Sequence, residues 1–368
     1  MTPEKLIVYL LMLSVLVVLH EYGHFLIARR NGVRVTDFAV GMGPTLLKWT
    51  SPRSATNYRI NLLPIGGYCQ MKGEDGKTNE AEQQREFREK RTYDDDNFQA
   101  KTPLQRLAIV VAGPIANFIV ALVLLFGSAL VFGLPGETPS TVVGALVAGY
   151  PAQQAGMRPG DRITAINGTP MQDGNQLITL IHGATGKHLR VDFVRHGQPM
   201  HVDVVPRAMT GPDGKSEGHL GFAPLNLWQH VGVAQAWQGA WGQFSGVVTA
   251  TLGALGGLFT HPAQVAGQVS GPIGMANATA QAEDLGPGVF LSLAALISIS
   301  LGIFNLLPIP ALDGGRAVFI LVEMLRGRPV DPEKEALVHV GGFAVLIALM
   351  LVVSFHDVTQ AMAGKGAL

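Results

Sequence analysis

Four long apolar stretches divide the chain and dominate its hydrophobic pattern. The first, residues 6–28, would form a helix of about 35 Å, which is enough to cross a bilayer. The others lie at residues 104–134, 289–307 and 338–355. The pattern therefore predicts a polytopic α-helical membrane protein with about four transmembrane helices. A shorter stretch rich in Gly and Thr, residues 244–259, is interpreted as an interfacial or packed helix.

The positions of basic residues predict the orientation of these helices. Only Lys5 precedes the first stretch, whereas six basic residues follow it directly: Arg29, Arg30, Arg34, Lys48, Arg53 and Arg59. Because positive loops stay in the cytoplasm, the segment after the first helix is predicted to be cytoplasmic and residues 135–288 extracytoplasmic. Four further basic residues between the third and fourth helices agree with this orientation: Arg316, Arg326, Arg328 and Lys334.

Two polar segments show the alternation that is typical of strands. In residues 140–207, apolar and polar positions alternate in short runs that are separated by turn signals. This pattern predicts a small α+β domain. Within them, residues 149–171 resemble the PDZ domain, which binds a chain end by strand addition; a folded spacer without a ligand remains the alternative. Five histidines in and after this region lack metal-ligand spacing and are expected to be solvated: His182, His188, His196, His201 and His219.

The segment between the first two helices predicts short strands at residues 38–44 and 58–71, broken by Gly and Pro. Irregular backbone at membrane depth needs protein partners, so these strands are expected to lie against the membrane face as a β-loop. A charged stretch then continues to Lys101 and includes Asp94, Asp95 and Asp96. We interpret it as a solvated loop rather than a cation site.

Overall composition excludes some classes of protein. The 368 residues contain 27 Lys and Arg against 27 Asp and Glu, so no basic surface for nucleic acid is indicated. The single cysteine excludes a disulfide framework and a four-thiolate zinc site. A metal site would have to use His, Asp or Glu.

A chemical motif interrupts the first apolar stretch. His20, Glu21 and His24 form H-E-x-x-H, in which two imidazoles on one helix face can bind zinc while the carboxylate faces a metal-bound water. Each ionisable residue in a membrane span costs about 2–3 kcal/mol unless it has a partner. A polar cluster that only links helices or relays protons is the alternative interpretation.

A third ligand is predicted at the end of the third apolar stretch. Asp313 is the only carboxylate between Asp284 and Glu323, and Pro308 and Pro310 are expected to end the helix just before it. Catalytic zinc sites have three protein ligands and a water, which fits a carboxylate supplied by an unwound segment.

These motifs together resemble the site-2 protease family of intramembrane zinc peptidases. The shared elements are H-E-x-x-H, N-x-x-P-x-P-x-L-D-G at residues 305–314, G-x-x-x-N at Gly113 to Asn117, and the β-loop sequences G-M-G-P and P-I-G-G-Y. The resemblance implies one Zn²⁺ per chain bound by His20, His24 and Asp313, with Glu21 as general base. Gly113 and Asn117 would be structural near the site, and Asn117 could equally pack helix two against helix one.

The resemblance also implies where a substrate would bind. An unwound substrate segment would contact six residues of the β-loop and helix three: Tyr68, Cys69, Gln70, Met71, Asn305 and Pro308. An ordinary hydrogen bond between helices is an equally good interpretation of Asn305. Glu323 and Arg326 are expected to form a structural ion pair.

The predicted organisation has seven parts. They are residues 1–30 (first helix with H-E-x-x-H), 31–103 (cytoplasmic β-loop region), 104–134 (second helix), 140–207 (inserted PDZ-like domain), 208–288 (extracytoplasmic or interfacial helical region), 289–327 (third helix with L-D-G) and 335–357 (fourth helix). The resemblance implies a protein of the bacterial inner membrane that cleaves single-pass membrane proteins, such as trimmed anti-sigma factors and remnant signal peptides, after an upstream site-1-type protease. No nucleic acid partner is expected, and the ligand of the PDZ-like domain is open. The rival interpretations are a transporter and an inactive PDZ-bearing scaffold.

Overall fold

A computed structural model of the chain describes residues 2–74, 94–147, 149–210, 216–260, 271–328, 330 and 332–362. The charged stretch predicted as a solvated loop lies mostly outside these residues. At its described end, Asp94 and Asp96 both pair with Lys72, with their carboxylate oxygens 2.7 Å from its Nζ. An internal ion pair, rather than solvent alone, therefore satisfies these two carboxylates.

The described residues contain nine α-helices. Their bounds are α1 Pro3–Arg30, α2 Pro103–Phe132, α3 Pro151–Gln154, α4 Gly174–His182, α5 Val233–Thr260, α6 Pro272–Leu285, α7 Pro287–Leu306, α8 Asp313–Arg326 and α9 Pro332–Met362. Within the described part of the chain, four segments are long and apolar enough to cross a membrane: Pro3–Arg30, Pro103–Phe132, Pro287–Leu306 and Lys334–Phe355. These are the four predicted stretches, and the protein is a polytopic membrane protein.

Helices α1 and α2 approach each other unusually closely. A Cβ atom added to Gly23 would lie 2.4 Å from the carbonyl oxygen of Ala112 and 2.7 Å from the Cβ of Ala116. Small residues at such a contact let helix backbones pack closely in a membrane. Helix α7 completes the bundle, because Leu16 of α1 packs in one buried cluster with Ile297.

The segment after α1 forms two antiparallel strands, β1, Val35–Thr50, and β2, Asn57–Met71, which make a hairpin that folds back on itself: residues 37–40 pair with residues 67–70 on one side and with residues 57–60 on the other. Strand β1 is much longer than the predicted strand 38–44, whereas β2 begins one residue before the predicted strand 58–71. Several shifts of register bend the hairpin, and Gly41 and Gly43 adopt φ values of 80° and 84° there. The base of the hairpin is anchored in the core, where Val35 and Met71 pack with Phe25 and Ile109.

The region between α2 and α5 folds into a soluble unit built on a six-stranded sheet. The other strands are β3 Leu134–Leu146, β4 Arg162–Ile166, β5 Thr169–Pro170, β6 Leu189–Arg195, β7 Gln198–Val204, β8 Arg207–Thr210, β9 Ser216–His219 and β10 Phe222–Gln229. The sheet order is β10-β3-β4-β6-β7, with β5 paired to β4, while β8 and β9 form a separate hairpin. Helix α4 covers a core that includes Leu177, Val191 and Phe193.

This soluble unit enters and leaves the membrane part at one point. Leu134 pairs with Gln229, the first residue of β3 against the last residue of β10. A Cβ atom at Gly133 would lie 2.2 Å from the carbonyl oxygen of Gln229 and 3.1 Å from the amide nitrogen of His230. The sheet therefore extends beyond residues 140–207 on both sides.

Helix α5 packs along α2, as expected for a packed helix. The rings of Phe118 and Phe244 meet edge to face with centroids 6.0 Å apart, and those of Phe126 and Trp237 do so at 5.6 Å. Such edge-to-face pairs stabilise a contact beyond the area that they bury. These two contacts hold the segment after the soluble unit against the second membrane helix.

The prediction that Glu323 pairs with Arg326 is wrong. Glu323 forms an ion pair with Arg106 of α2, and Arg106 is only 6% exposed. A buried guanidinium needs a charged partner much more than the exposed Arg326 does. This pair fixes α8 against the start of α2, and the pair of Arg316 with Glu74 fixes α8 against the chain that leaves β2.

The close contact of α1 and α2 generates a prediction. Gly23→Ala should force the helices apart and lower the free energy of unfolding by about 1–3 kcal/mol, because the added Cβ meets backbone. Thermal unfolding of the full chain in detergent measures this. Gly127→Ala is the matched control within α2, since a Cβ there meets nothing within 4 Å. Equal melting temperatures for the two variants would contradict the prediction.

Candidate metal centre

The two imidazoles of the H-E-x-x-H motif lie together on the buried face of α1. His20 and His24 are each 7% exposed, and their Nε2 atoms are 3.2 Å apart. Residues four positions apart lie one helical turn from each other on the same side of a helix. The regular helix is therefore enough to bring the two nitrogens together.

Asp313 reaches these imidazoles because α7 ends early. The helix stops at Leu306, as the two prolines predict, and α8 begins at Asp313 itself. The turn is tight: Cβ atoms on Gly314 and Gly315 would lie 2.1 Å from the Leu307 oxygen and 2.4 Å from the Ile309 oxygen. Two glycines thus let the chain fold back under its own carbonyl groups.

Three potential ligand atoms converge at this point. The Oδ2 atom of Asp313 lies 3.1 Å from the Nε2 of His20 and 3.4 Å from the Nε2 of His24. Adjacent ligands of a tetrahedral zinc ion with bonds of about 2.0–2.1 Å lie about 3.3–3.4 Å apart. Oδ2 is also buried without a hydrogen-bond partner among the described residues. The three donors fit a zinc ion in both spacing and chemistry.

A contact of the other ring nitrogen, Nδ1, orients each imidazole. The Nδ1 of His24 lies 2.8 Å from the carbonyl oxygen of Ile109. A carbonyl only accepts, so Nδ1 carries the proton and Nε2 keeps a lone pair for a metal. The Nδ1 of His20 contacts the side-chain amide of Asn117 at 3.1 Å, and Asn117 is fully buried. Helix α2 thus contacts the outer nitrogen of both imidazoles.

Gly113 makes room for this arrangement. A Cβ atom at this position would lie 2.2 Å from the Nε2 of His24 and 2.8 Å from the Cε1 of His20. The residues found by resemblance in α2, Gly113 and Asn117, therefore both touch the imidazoles. The Ile109 contact escaped sequence reasoning, because a backbone carbonyl leaves no signal in the amino-acid pattern.

Glu21 lies beside the same centre and is held by β2. Its Oε2 accepts a hydrogen bond of 3.0 Å from the backbone N–H of Cys69. Glu21 opens into a cavity of about 260 Å³. The lining residues are Val17, His20, Glu21, Asn117, Leu301, Asn305, Ala311, Leu312 and Asp313.

The six predicted substrate contacts divide into two groups. Asn305 lines the cavity, whereas Pro308 lies in the turn after α7 and is not among the described residues that line it. The β2 residues Cys69 and Met71 are 8% and 2% exposed and pack into the core. Burial, together with the negative charges of Glu74 and Glu21, raises the pKa of the Cys69 thiol, so it stays neutral. Only its backbone faces Glu21.

The neighbours of Cys69 continue the strand. Tyr68 pairs with Ala39 across the hairpin, and the Gln70 carbonyl oxygen accepts a hydrogen bond of 3.1 Å from the Thr36 hydroxyl. At the end of the strand, Met71 donates its N–H to Glu74 at 3.1 Å. Strand β2, whose Cys69 N–H bonds to Glu21, is therefore held in turn by β1.

The family profile described as Peptidase family M50 matches residues 8–349. The chain belongs to peptidase family M50. It is therefore a zinc metalloprotease of the site-2 type, and Zn²⁺ is its cofactor. Membership and the apolar helices also make it a bacterial membrane protein.

Curated relatives of this M50 peptidase match it over nearly its full length. It is 31% identical to the zinc metalloprotease RasP of Geobacillus kaustophilus, over 98% of this chain and 99% of that protein. It is 32% identical to the regulator of sigma-W protease RasP of Bacillus subtilis, over 98% and 99%. It is 33% identical to a protein of Clostridium acetobutylicum that is provisionally named a zinc metalloprotease, over 96% of this chain and 97% of that protein.

Part of the chain is also similar to solved structures. The PDZ domain of an SdrC-like protein from Listeria monocytogenes aligns with 24% of this chain and 93% of that chain, at 18% identity and a TM-score of 0.20.

The space at Gly113 generates a second prediction. Gly113→Ala should displace the His24 imidazole and weaken zinc binding about tenfold or more, because the new Cβ overlaps a ligand atom. Zinc retained after dialysis against a competing chelator measures this. Gly127→Ala in the same helix should retain zinc like the wild type. Full retention by Gly113→Ala would show that the centre tolerates the methyl group.

Proposed function

We propose that this M50 peptidase cleaves peptide bonds within or near the transmembrane segments of single-pass membrane proteins, with Glu21 as catalytic base and zinc held by His20, His24 and Asp313. One observation carries the proposal. The three ligand atoms lie within 4.8 Å of one another, and His20, His24 and the neighbouring Glu21 belong to a helix long enough to cross a membrane.

Each residue has a defined role in this proposal. Bound zinc supplies Lewis acidity, which acidifies a water and polarises the scissile carbonyl. Glu21 takes the proton from that water and later delivers it to the leaving amine. The Cys69 N–H holds one oxygen of the Glu21 carboxylate, so the other oxygen is left to carry the proton.

Asn117 sets the tautomer of His20 in this proposal. The Oδ1 of Asn117 is buried and has no hydrogen-bond partner among the described residues. Turning the amide by 180° would place this oxygen as acceptor for an Nδ1–H of His20. Nε2 would then carry the lone pair that zinc requires, as it does in His24.

The substrate enters as an unwound strand, because a helix hides its carbonyl groups in internal hydrogen bonds. Asn305 faces the cavity beside Glu21 and offers an amide to such a strand. We infer that Tyr68 and Gln70 flank the path on the β2 side, since Cys69 between them already contacts Glu21. Pro308 and Met71 bound the site without facing the cavity.

The β1–β2 hairpin lies against the membrane in this proposal. Its two strands expose large apolar side chains that water would disfavour, among them Leu46, Leu47, Trp49, Leu62 and Leu63. The base of the hairpin carries the Cys69 contact to Glu21. The same element would thus meet both lipid and the reacting centre.

The orientation follows from charge. Arg29 and Arg30 end α1 and are exposed, and we infer from this positive charge that this end of the helix lies on the cytoplasmic side of the inner membrane. His20 and His24 lie within about three turns of that end, so the active site is near the cytoplasmic face. The soluble unit, which we infer to be a PDZ-like domain, then lies outside the cytoplasm.

The relative from Bacillus subtilis carries the name regulator of sigma-W protease. We infer the same substrate class here: anti-sigma factors already trimmed by an upstream site-1-type protease, and remnant signal peptides. A catalytically inactive scaffold that binds partners through the PDZ-like unit is the second candidate. The complete set of ligands and base disfavours it, because buried ionisable residues are costly in a membrane without a function.

The assigned roles separate zinc binding from cleavage. Glu21→Gln should keep zinc and lower the cleavage rate of a tagged single-pass test protein at least about 100-fold, because the base is lost. His20→Ala and Asp313→Ala should lose both zinc and cleavage. Metal content and cleavage in detergent, with and without chelator, measure the two properties. Full cleavage by Glu21→Gln would refute the assignment of the base.

The position of the soluble unit generates a prediction about selectivity. A PDZ-like unit outside the membrane would exclude substrates with a bulky external part. Because Gly133 and His230 are adjacent, deleting residues 134–229 and joining the ends should leave the membrane helices in place. The shortened protein should retain zinc and cleave untrimmed substrates.

The control for this deletion is a trimmed substrate, which both proteins should cleave. If the shortened protein cleaves trimmed substrate but still rejects the untrimmed form, the unit is not the filter. Loss of zinc would show that the unit supports the membrane part, which also contradicts the proposed separation of roles.

A further inference from the structure

A second group of metal-binding side chains lies in the soluble unit. The five histidines of this region are expected from sequence to be solvated, and His188, His196 and His201 are exposed. The side chains of His182 and His219 are partly exposed and contact each other. Their rings lie 4.7 Å apart, and Glu217 lies against both of them.

The three side chains present their polar atoms to one another. The Oε2 of Glu217 is 3.3 Å from the Nδ1 of His182 and 3.8 Å from the Nε2 of His219. All three candidate ligand atoms lie within 4.8 Å of one another. Adjacent ligands of a tetrahedral zinc ion lie about 3.3–3.4 Å apart, so small rotations of the side chains would complete a site.

The fold holds these residues in place from two elements. His182 is the last residue of α4, and Glu217 and His219 lie two positions apart on β9, on the same face of the strand. Gly218 between them allows the close approach, since a Cβ there would lie 2.5 Å from the Ile181 oxygen and 3.1 Å from the Thr185 nitrogen. The strand therefore packs directly against the end of the helix.

Charge and exposure also suit a cation. The carboxyl end of a helix carries partial negative charge, which favours a cation beside His182. The side chains of the three residues are 35%, 28% and 33% exposed in chain order, so water can fill the remaining coordination positions. Two imidazoles and one carboxylate match the preference of zinc and the neighbouring divalent transition metals.

We propose that His182, Glu217 and His219 form a second metal site, which binds a divalent transition-metal ion such as Zn²⁺ and links α4 to the β8–β9 hairpin. The two elements are separate in the chain, so the ion would act as a cross-link within the soluble unit. This site is independent of the peptidase centre and of its proposed mechanism.

The test counts metal ions on the full-length protein in detergent. The protein is stripped with chelator, reloaded with Zn²⁺, freed of excess by gel filtration and analysed for zinc. The wild type should bind about two zinc ions per chain, and His219→Ala or Glu217→Gln about one. His188→Ala, an exposed histidine of the same unit, is the matched control and should keep two.

The variant Asp313→Ala distinguishes this proposal from the proposed function, because this variant should lose only the zinc ion of the peptidase centre. A wild type that binds one ion, lost in His219→Ala but kept in Asp313→Ala, would support the second site and contradict the peptidase ligands. Zinc content that neither His219→Ala nor Glu217→Gln changes would overturn the second site. A second readout is hydrogen exchange: added Zn²⁺ should slow amide exchange of β9 in the wild type and not in Glu217→Gln.

Discussion

The structure depends on the compensation of ionisable side chains within an apolar helix. Two imidazoles and a carboxylate in α1 are unfavourable in lipid unless other groups satisfy them. Helix α2 satisfies the imidazoles through a backbone carbonyl and the Asn117 amide, and it reaches them because Gly23 and Gly113 carry no side chain. The carboxylate accepts a hydrogen bond from the backbone of β2. Close packing of two helices is therefore the condition for the chemistry.

The same need for close packing explains why two ion pairs hold α8 in position. The Arg106–Glu323 pair joins it to α2, and the Arg316–Glu74 pair joins it to the chain after β2. A carboxylate ligand on a separate helix needs such restraints, since a displacement of about 1 Å lowers the rate of an enzyme severely. The two ion pairs thus restrain the helix that carries Asp313, the proposed third metal ligand.

Sequence reasoning succeeded where the signal is local. The apolar stretches, the i and i+4 spacing of His20 and His24, and the prolines before Asp313 each predict a feature from neighbouring residues. It failed for Glu323, whose partner lies 217 positions away, and it gave no signal for the contact of His182 with His219, which meet only after β9 packs on α4. The length of β1 escaped as well, because pairing with β2, rather than composition, extends this strand.

The adjacency of Gly133 and His230 has an evolutionary consequence. A module whose two ends meet at one spot can be exchanged, duplicated or lost without altering the catalytic bundle, because the distance between the flanking helices does not depend on its content. The sequence and length of this unit can then vary while the helices that carry His20, His24 and Asp313 keep their arrangement.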